Sequence, residues 1–307
     1  MKGLILVIGS EGLVGSRFVE TSERKNFLHL PKEVELDITN KSDIQNILSS
    51  YSFSAVVNFA AFTDVNKAEE ERGDKNGKCW QVNVEGVKNL VEAIKPHRGR
   101  IHFIQISTDM VFSGSSEDPG PYAEDREPEK DLNEVTWYGY TKGQGEKVVR
   151  DILGQSATIL RIIYPVRASF PAKLDYIRKL LSLYDEGKLY SLFSDQQITI
   201  TFIDEACRAL DAIIIGDIKG TFHASSSDVT TPYNLISEVL KKTRGKINVV
   251  DPISLDDFLK DRDVPVYRYP RFGGLDTSET EGKLDLKFST CRQMIEELVK
   301  QGLGKDI

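Results

Sequence analysis

Three glycines near the start of the chain, spaced three residues apart, restrict the possible folds more than any other feature. Residues 4–8 form a continuous apolar run, which is typical of a strand buried on both faces of a parallel sheet. Gly9, Gly12 and Gly15 follow, and the stretch after them predicts a helix that ends near residue 24. A strand, a glycine turn and a helix in this order are typical of the beginning of a doubly wound α/β fold.

The same turn predicts a site for a dinucleotide. The first glycine permits a tight turn, the second lets the backbone approach a pyrophosphate, and the third lets helix and strand pack closely. The free N–H groups and the dipole at the helix N-terminus attract phosphates. An ordinary turn between a strand and a helix is the alternative interpretation. The predicted cofactor contacts in this turn are Gly9, Glu11, Gly12, Leu13 and Gly15.

Further apolar runs extend the alternation of strands and helices through the first half of the chain. Strands are predicted at 27–30, 55–59, 101–106 and 157–163. We therefore predict an α/β protein with a doubly wound parallel (Rossmann) sheet and a smaller C-terminal α/β substrate-binding region. The predicted dinucleotide-binding domain covers 1–165, with 197–224 returning to it, and the substrate-binding region covers 166–196 and 225–307.

Composition and charge narrow the functions that fit this fold. The net charge of -7 opposes a general affinity for nucleic acid or anionic membranes, so an anionic ligand requires a local site. Three scattered cysteines and four histidines lack ligand spacing, which predicts reduced thiols and no metal site. The apolar residues before Gly9 are too few for a signal sequence or a membrane span. We therefore expect a cytoplasmic protein with no nucleic-acid or membrane partner.

The end of the second predicted strand bears on the choice of cofactor. An acidic residue commonly ends this strand in NAD sites, where it binds the ribose diol. Here the strand ends in His29-Leu30-Pro31-Lys32, without an acid at its tip. Arg24 and Lys32 are placed to meet a 2′-phosphate, which favours NADP(H) over NAD(H). Glu33 and Glu35 are close enough to leave this choice open.

A tyrosine and a lysine four residues apart, Tyr138 and Lys142, form the candidate catalytic pair. Residues at i and i+4 share one face of a helix, so we expect the ammonium to lower the pKa of the phenol below its ordinary ~10. A tyrosine whose pKa is lowered in this way can exchange a proton with a substrate that changes between carbonyl and alcohol. For the motif taken alone, a surface pair is the alternative interpretation.

Two hydroxyls end the fourth predicted strand, where a doubly wound sheet binds its ligands. Ser107 and Thr108 are therefore candidates to bind a substrate oxygen. The acidic run 113–134, rich in proline and glycine, predicts a loop over the site.

The glycine turn, Ser107-Thr108-Asp109 and Tyr138-x-x-x-Lys142 together give the chain a resemblance to a known family. With its stretches 57–69, 82–86, 106–114 and 138–146, the chain resembles the extended short-chain dehydrogenase/reductases, and among them most the dTDP-4-dehydrorhamnose reductase group. The resemblance spans nearly the whole chain, and its motifs are concentrated before residue 165. It implies NAD(P)H-dependent reduction of the 4-keto group of a nucleotide-linked deoxy sugar.

The resemblance also implies a role for each matching residue. Tyr138 protonates the sugar ketone, Lys142 binds the nicotinamide ribose, and Thr108 binds the reacting oxygen. Further cofactor contacts are implied for Asp37, Ile38, Ala60, Ala61, Thr63 and Tyr164. Asp109 and Arg271 are the other candidate substrate contacts. Arg268 and Arg271 are candidates to bind a diphosphate through bidentate hydrogen bonds, and surface arginines are the alternative interpretation.

Departures from the family pattern keep other functions open. Met110 stands where the family usually has tyrosine, and the charged run 69–79 is longer than usual. A 4,6-dehydratase is disfavoured, because those relatives have glutamate after the Thr-Asp pair. A nucleotide-sugar 4-epimerase uses the same tyrosine and lysine, and a regulatory subunit without activity is the alternative from another class. The protein is expected to act as a monomer or a homodimer.

Overall fold

The structure, a computed structural model, describes residues 3–260 and 262–305, and these divide into two compact units. Among the described residues, the first unit comprises 3–112, Glu127–Arg161 and Cys207–Phe222. The second unit comprises Ser113–Arg126, Ile162–Ala206, 223–260 and 262–305. The assignment of the second unit to substrate binding stays a prediction.

Strands and helices alternate along the described chain. The strands are β1 (Leu4–Ile8), β2 (Leu28–His29), β3 (Phe53–Asn58), β4 (His102–Thr108), β5 (Ala157–Ile162), β6 (Leu192–Phe193), β7 (Gly220–Ala224) and β8 (Pro252–Ile253). The helices of the first half are α1 (Leu13–Thr21), α2 (Lys41–Ser50), α3 (Val65–Glu70), α4 (Lys78–Trp80), α5 (Val87–Ile94) and α6 (Trp137–Leu153). Those of the second half are α7 (Tyr176–Asp185), α8 (Ile203–Gly216), α9 (Pro232–Arg244), α10 (Leu255–Leu259), α11 (Ser278–Leu284) and α12 (Cys291–Lys300).

The main sheet has the strand order β2-β1-β3-β4-β5-β7. Strand β1 runs parallel to β2 and β3, and β3 runs parallel to β4, which confirms the predicted doubly wound sheet. The chain moves from β1 outward to β2 and then returns past β1 to β3, so the strand order reverses between β1 and β3. In open α/β sheets, ligands bind beyond the carboxyl ends of the strands at such a reversal.

The core of the first unit lies between the sheet and the helices α2, α5 and α6. Strand β3 is apolar along its whole length, because a parallel strand covered on both sides has no solvent-facing side. Helix α5 packs its apolar face against the sheet. The principal buried side chains are Leu6, Ile44, Val56, Leu90, Val91, Ile94, Phe103, Val149 and Ile159. In the second unit a separate core forms among α7, α9 and α12 around residues such as Ile177, Leu181, Leu235, Val239, Met294 and Leu298.

Two differences from the predicted elements bear on the site. Strand β4 continues two residues beyond the predicted end and includes Ser107 and Thr108. The apolar periodicity of residues 80–95 predicts one continuous helix, but a π-helical segment, Gln81–Gly86, interrupts it. This wider turn brings the Asn83 carbonyl against α6, where a Cβ on Gly145 would lie 2.5 Å from that oxygen. Only glycine therefore permits this approach of the two helices.

Helix α6 begins at Trp137 because Thr136 caps it. The Thr136 hydroxyl accepts a hydrogen bond from the N–H of Gly139 at 3.1 Å, satisfying one of the free donors of the first turn. Gly139 packs so closely on the Met110 carbonyl that a Cβ at this position would overlap that oxygen. The cap and this contact fix the first turn of α6 on the segment that follows β4. Among the described residues, no helix is long and apolar enough to cross a membrane.

Candidate active site

The predicted dinucleotide turn has a backbone that requires glycine. Gly9 has a φ of +76°, in the left-handed region, and a Cβ on it would lie 2.8 Å from the N–H nitrogen of Ala60. The Gly9 carbonyl accepts a hydrogen bond from Gly12 at 3.2 Å, and a Cβ on Gly15 would overlap the same oxygen. The turn therefore closes tightly over the end of β1, as the glycine spacing predicts. Glu11 and Gly12 are exposed, and Leu13 is half-buried.

The residues after β3 lie beside this turn. Ala60 and Ala61 are half-buried, and the Ala60 N–H donates to the Asn58 side chain at 3.1 Å. Thr63 is exposed. Small side chains here and the close approach of Gly9 to Ala60 fit a site where a dinucleotide lies against the backbone between β1 and β3.

The two residues expected at the adenine, Asp37 and Ile38, have different surroundings. The Asp37 side chain is exposed and accepts hydrogen bonds from the Thr39 N–H and hydroxyl, each at 2.8 Å. Ile38 is 4% exposed and packs in the core of the first unit. Of the two, Asp37 presents its side chain to solvent, and the cofactor contacts of both stay predictions.

Thr108, Tyr138 and Lys142 meet at the carboxyl end of β4, and all three belong to the first unit. The Tyr138 hydroxyl lies beside the Thr108 side chain, which lowers the pKa of the phenol. Lys142 lies one turn after Tyr138 on α6, and its ammonium donates to the Ile106 carbonyl of β4 at 2.7 Å. The sequence motifs thus bring a hydroxyl, a phenol and an ammonium to the edge of the sheet where a doubly wound fold binds ligands.

The expected lowering of the Tyr138 pKa is wrong for the site as it stands. Burial raises the pKa of this phenol well above its ordinary 10, the nearby Asp109 charge raises it further, and the Thr108 hydrogen bond opposes both. Lys142 does not offset this rise, because its ammonium is directed at the Ile106 carbonyl. Burial also lowers the pKa of Lys142 to about 8, with the Glu146 charge acting in the opposite direction.

Asp109 is a half-buried carboxyl beside the same groups. Its Oδ1 accepts a hydrogen bond from the Thr108 hydroxyl at 3.2 Å. Burial raises the pKa of Asp109 to about 7, with hydrogen bonds from Thr108 and from the backbone opposing the rise. Since two acids of raised pKa, Asp109 and Tyr138, flank Thr108, the site favours neutral, proton-bearing groups at this position.

The expectation that Ser107 binds a substrate oxygen is wrong. Ser107 is 2% exposed, and its hydroxyl donates to the Glu146 carboxylate. Its side chain points to the opposite face of β4 from that of Thr108, because successive residues of a strand alternate. Sequence reasoning missed Glu146, although Tyr138, Lys142, Glu146 and Arg150 recur every four residues along one face of α6.

From the sequence, Asn83 lies in a helix and either faces a neighbouring strand or is solvated. The structure buries it: Asn83 is 1% exposed and contacts three elements. Its side chain accepts from the Phe62 N–H at 2.9 Å and donates to the Thr141 hydroxyl at 3.1 Å. The Cys79 thiol lies 3.3 Å from the same Thr141 oxygen. These contacts join the segment after β3 to helix α6 immediately behind Tyr138.

Two further candidates, Tyr164 and Arg271, belong to the second unit. Tyr164 has a φ of +39°, which is unusual for a residue with a side chain, and its ring lies 4.8 Å from that of Tyr176. The Arg271 guanidinium pairs with Asp256 and lies 3.5 Å from Asp195. Arg271 therefore already has two carboxylate partners, and its predicted contact with a diphosphate stays a prediction. Within the described parts of the chain, no group of three acidic, histidine or cysteine side chains is placed to hold a metal ion.

Comparison with known proteins identifies the family. The sequence pattern of the RmlD substrate binding domain matches residues 1–303. The chain belongs to this family. The resemblance to the dTDP-4-dehydrorhamnose reductase group of the extended short-chain dehydrogenase/reductases is thereby confirmed, and so is the prediction of an NAD(P)-dependent oxidoreductase of that type.

The relatives that this chain resembles align with it over most of their own length. A probable low-salt glycan biosynthesis reductase of Haloferax volcanii is 28% identical over 91% of each chain. A dTDP-4-dehydrorhamnose reductase of Streptomyces griseus is 27% identical over 77% of this chain and 75% of its own. The crystal structure of dTDP-4-dehydrorhamnose reductase from Bacillus anthracis in complex with NADP aligns over 98% of this chain and 100% of its own, with a TM-score of 0.82 and 22% identity. This last similarity shows a shared fold.

Proposed function

We propose that this protein reduces the 4-keto group of a nucleotide-linked deoxy sugar with a nicotinamide cofactor. The observation that carries the proposal is the cluster of Thr108, Tyr138 and Lys142 at the carboxyl end of β4. Relatives whose names describe reductases of dTDP-linked sugars support the same substrate class. The bound nicotinamide supplies the hydride for the carbonyl carbon.

The residues of the chain supply the proton and the geometry. Thr108 holds the ketone oxygen, and the Tyr138 hydroxyl donates its proton to that oxygen as the C–O double bond becomes a single bond. Because burial raises the pKa of Tyr138, the phenol keeps its proton throughout the physiological pH range. The transfer is still favourable, since an alkoxide is far more basic than a phenolate. The products are the alcohol and the phenolate, which regains its proton from solvent.

Lys142 and the glycine turn hold the cofactor in this proposal. The Lys142 ammonium has two donors besides the one bound to the Ile106 carbonyl, and these bind the hydroxyls of the nicotinamide ribose. The N–H groups around Gly12 bind the pyrophosphate.

NADP(H) is the favoured form of the cofactor. Lys32 is exposed beyond the carboxyl end of β2 and supports this choice. Arg24 precedes the strand, and its guanidinium lies 4.5 Å from the centre of the Phe27 ring. The Glu35 carboxylate accepts the Lys32 N–H at 2.8 Å, which occupies one of the two acids that would otherwise serve a ribose diol.

The proposal is tested with the purified protein, NADPH and a dTDP-4-keto-6-deoxy sugar. NADPH consumption and formation of the sugar alcohol are expected, and Tyr138→Phe is expected to lower kcat by about 10²- to 10⁴-fold. Tyr140→Phe is the matched control. Tyr140 lies two residues after Tyr138 on the same helix, and its ring stacks on that of Trp137. Its rate should stay close to that of the unmodified protein.

Three outcomes would contradict the proposal. An unchanged rate in Tyr138→Phe would remove the tyrosine from the mechanism. Retained NAD with interconversion of 4-epimers would identify an epimerase. No turnover of any keto sugar, together with a heterologous protein that co-purifies in equal amount, would identify a regulatory subunit. A thermal-shift comparison of NADPH with NADH tests the cofactor, because the tighter ligand raises Tm more at equal concentration.

A further inference from the structure

The Glu146 carboxylate forms a fully paired, buried network behind the site. Glu146 is 0% exposed and Arg161 is 1% exposed. Arg161 donates to both carboxylate oxygens, from Nη2 at 2.8 Å and from Nε at 3.0 Å. Arg150 donates through Nη1 and Nη2 at 3.0 and 2.8 Å, and the Ser107 hydroxyl completes the set. Burying a carboxylate costs several kcal/mol unless such partners are present, so the network holds Glu146 ionised.

The network and the candidate active site share two consecutive residues of β4. The Ile106 carbonyl accepts from the Lys142 ammonium, and the next residue, Ser107, donates to Glu146. Thr108 follows directly. Lys142 and Glu146 lie one turn apart on α6. The ammonium therefore binds Ile106 and the carboxylate binds the next residue, Ser107, at the same end of β4. A shift of either group would therefore move the residue that carries the Thr108 hydroxyl.

The charges around Lys142 single out Glu146. From α6 the ammonium faces Glu146, and from α4 it faces the Cys79 thiol. Burial raises the pKa of that thiol, so it is uncharged near neutral pH. Arg161 on β5 and Arg150 on α6 bind the carboxylate of Glu146. Glu146 is thus the ionised acid that opposes the effect of burial on Lys142.

We infer that Glu146 is a positioning residue of this site: its carboxylate balances the Lys142 ammonium and fixes the strand end that carries Thr108. The inference rests on the proposed function for the role of Lys142 in holding the cofactor. The effect of Glu146 on the protonation of Lys142 can be measured without any substrate, because this protonation is a property of the folded chain.

Titration of Lys142 by NMR tests this directly. The protein is labelled with ¹³C-lysine, and the Lys142 signal is identified by its loss in Lys142→Arg. In the unmodified protein the titration midpoint is expected at about pH 8. Glu146→Gln should move the midpoint to lower pH, and NADPH affinity at fixed pH should fall about tenfold for each unit by which the midpoint drops below the assay pH.

Asp151→Asn is the matched control, since it makes the same change of carboxylate to amide on α6 at an exposed ion pair with Lys147. It should leave the Lys142 midpoint unchanged. If Glu146→Gln does not fold because Arg161 loses its partner, Glu146→Gln/Arg161→Gln removes both charges. The midpoint should then fall by less, because removal of the Arg161 charge favours the ammonium of Lys142. An unchanged midpoint in a folded Glu146 variant overturns the inference. A lowered midpoint in a protein that reduces no keto sugar upholds it and refutes the proposed function alone.

Discussion

The Asn83 side chain binds both polar groups of the Phe62 residue, accepting from its N–H at 2.9 Å and donating to its carbonyl at 3.2 Å. Phe62 follows the two alanines that lie beside the glycine turn, so this contact fixes one wall of the predicted cofactor site. The π-helical segment around Asn83 turns the side chain toward that wall. A π-bulge at a functional position is a common arrangement, because it redirects one side chain without ending the helix.

Replacing this amide should affect both stability and cofactor binding. Asn83→Ala leaves the N–H and the carbonyl of Phe62 without their side-chain partner, which costs about 1–3 kcal/mol for each unsatisfied group. We expect a lower free energy of unfolding in urea and weaker NADPH binding by calorimetry. Asn46→Ala, at an exposed position of α2, is the control and should change stability by less than about 0.5 kcal/mol. Equal behaviour of the two variants would refute the role assigned to Asn83.

Two glycines of the same turn should respond differently to alanine. A Cβ on Gly15 would overlap the Gly9 carbonyl, so Gly15→Ala forces α1 away from β1 and should destabilise the protein by about 1–3 kcal/mol. A Cβ on Gly12 would lie 3.3 Å from that oxygen, and Gly12 is exposed with an extended backbone. Gly12→Ala should therefore keep its Tm and lose NADPH affinity, because the added methyl group obstructs the pyrophosphate. The prediction fails if both variants lose stability equally.

The sheet, and the meeting of Thr108, Tyr138 and Lys142 at one edge of it, could be predicted from the sequence because their signals are local. Continuous apolar runs, the glycine spacing and the Tyr138–Lys142 interval each depend on a few neighbouring residues. The protonation states could not be predicted in this way. Whether the Lys142 ammonium faces the Tyr138 phenol or the Ile106 carbonyl depends on the packing of α6 against β4, which no interval within one helix encodes.

Contacts between distant residues explain the remaining errors. Ser107 and Thr108 read alike as adjacent hydroxyls, yet strand alternation directs one to Glu146 and the other to Tyr138. The bridge from Asn83 to Phe62 joins residues 21 positions apart through a π-helical segment that lacks a sequence signature. The series of Tyr138, Lys142, Glu146 and Arg150 was readable at helical spacing. Its meaning depended on Arg161, which comes from another strand.

Asp109 should make the protein less stable as the pH rises. Its pKa is raised to about 7 in the folded protein, from 3.8, so the folded state binds more protons between these values. Its contribution to stability is therefore lost as the pH increases from about 4 to 7. Asp109→Asn should raise the free energy of unfolding at pH 8 by about 1–2 kcal/mol, a value reduced for partial exposure, and by little at pH 4.5. Stability curves in urea at the two pH values check this.

The same Asp109 substitution should lower activity if the carboxyl serves the site, as stabilising changes at functional positions commonly do. Asp125→Asn is the control, because it removes an exposed carboxylate. A gain of stability at both pH values, or an equal gain in the control, would contradict the assignment.

His102 gives the opposite pH dependence far from the candidate site. It is buried at the start of β4, where its Nε2 lies 2.7 Å from the Thr158 hydroxyl. The Thr158 hydroxyl donates to the Ile218 carbonyl at 2.9 Å, so it accepts from Nε2–H, and Nδ1 carries no proton. Burial and the Lys219 charge lower the pKa of His102 to about 4, while Asp217, 3.2 Å from Nδ1, acts in the opposite direction.

Acid should therefore destabilise the protein through His102 before its carboxylates are protonated. The unfolded chain binds a proton near pH 6.5 and the folded chain near pH 4, so stability falls as the pH drops through this window. Between pH 7.5 and pH 5 the expected loss is about 2 kcal/mol. His102→Gln retains a donor for Thr158 and has no titrating group at this position. Its free energy of unfolding in urea should therefore fall about 2 kcal/mol less between pH 7.5 and pH 5 than that of the unmodified protein. Parallel curves for the variant and the unmodified protein would show that Asp217 keeps His102 charged after folding, with Nδ1–H donated to its carboxylate.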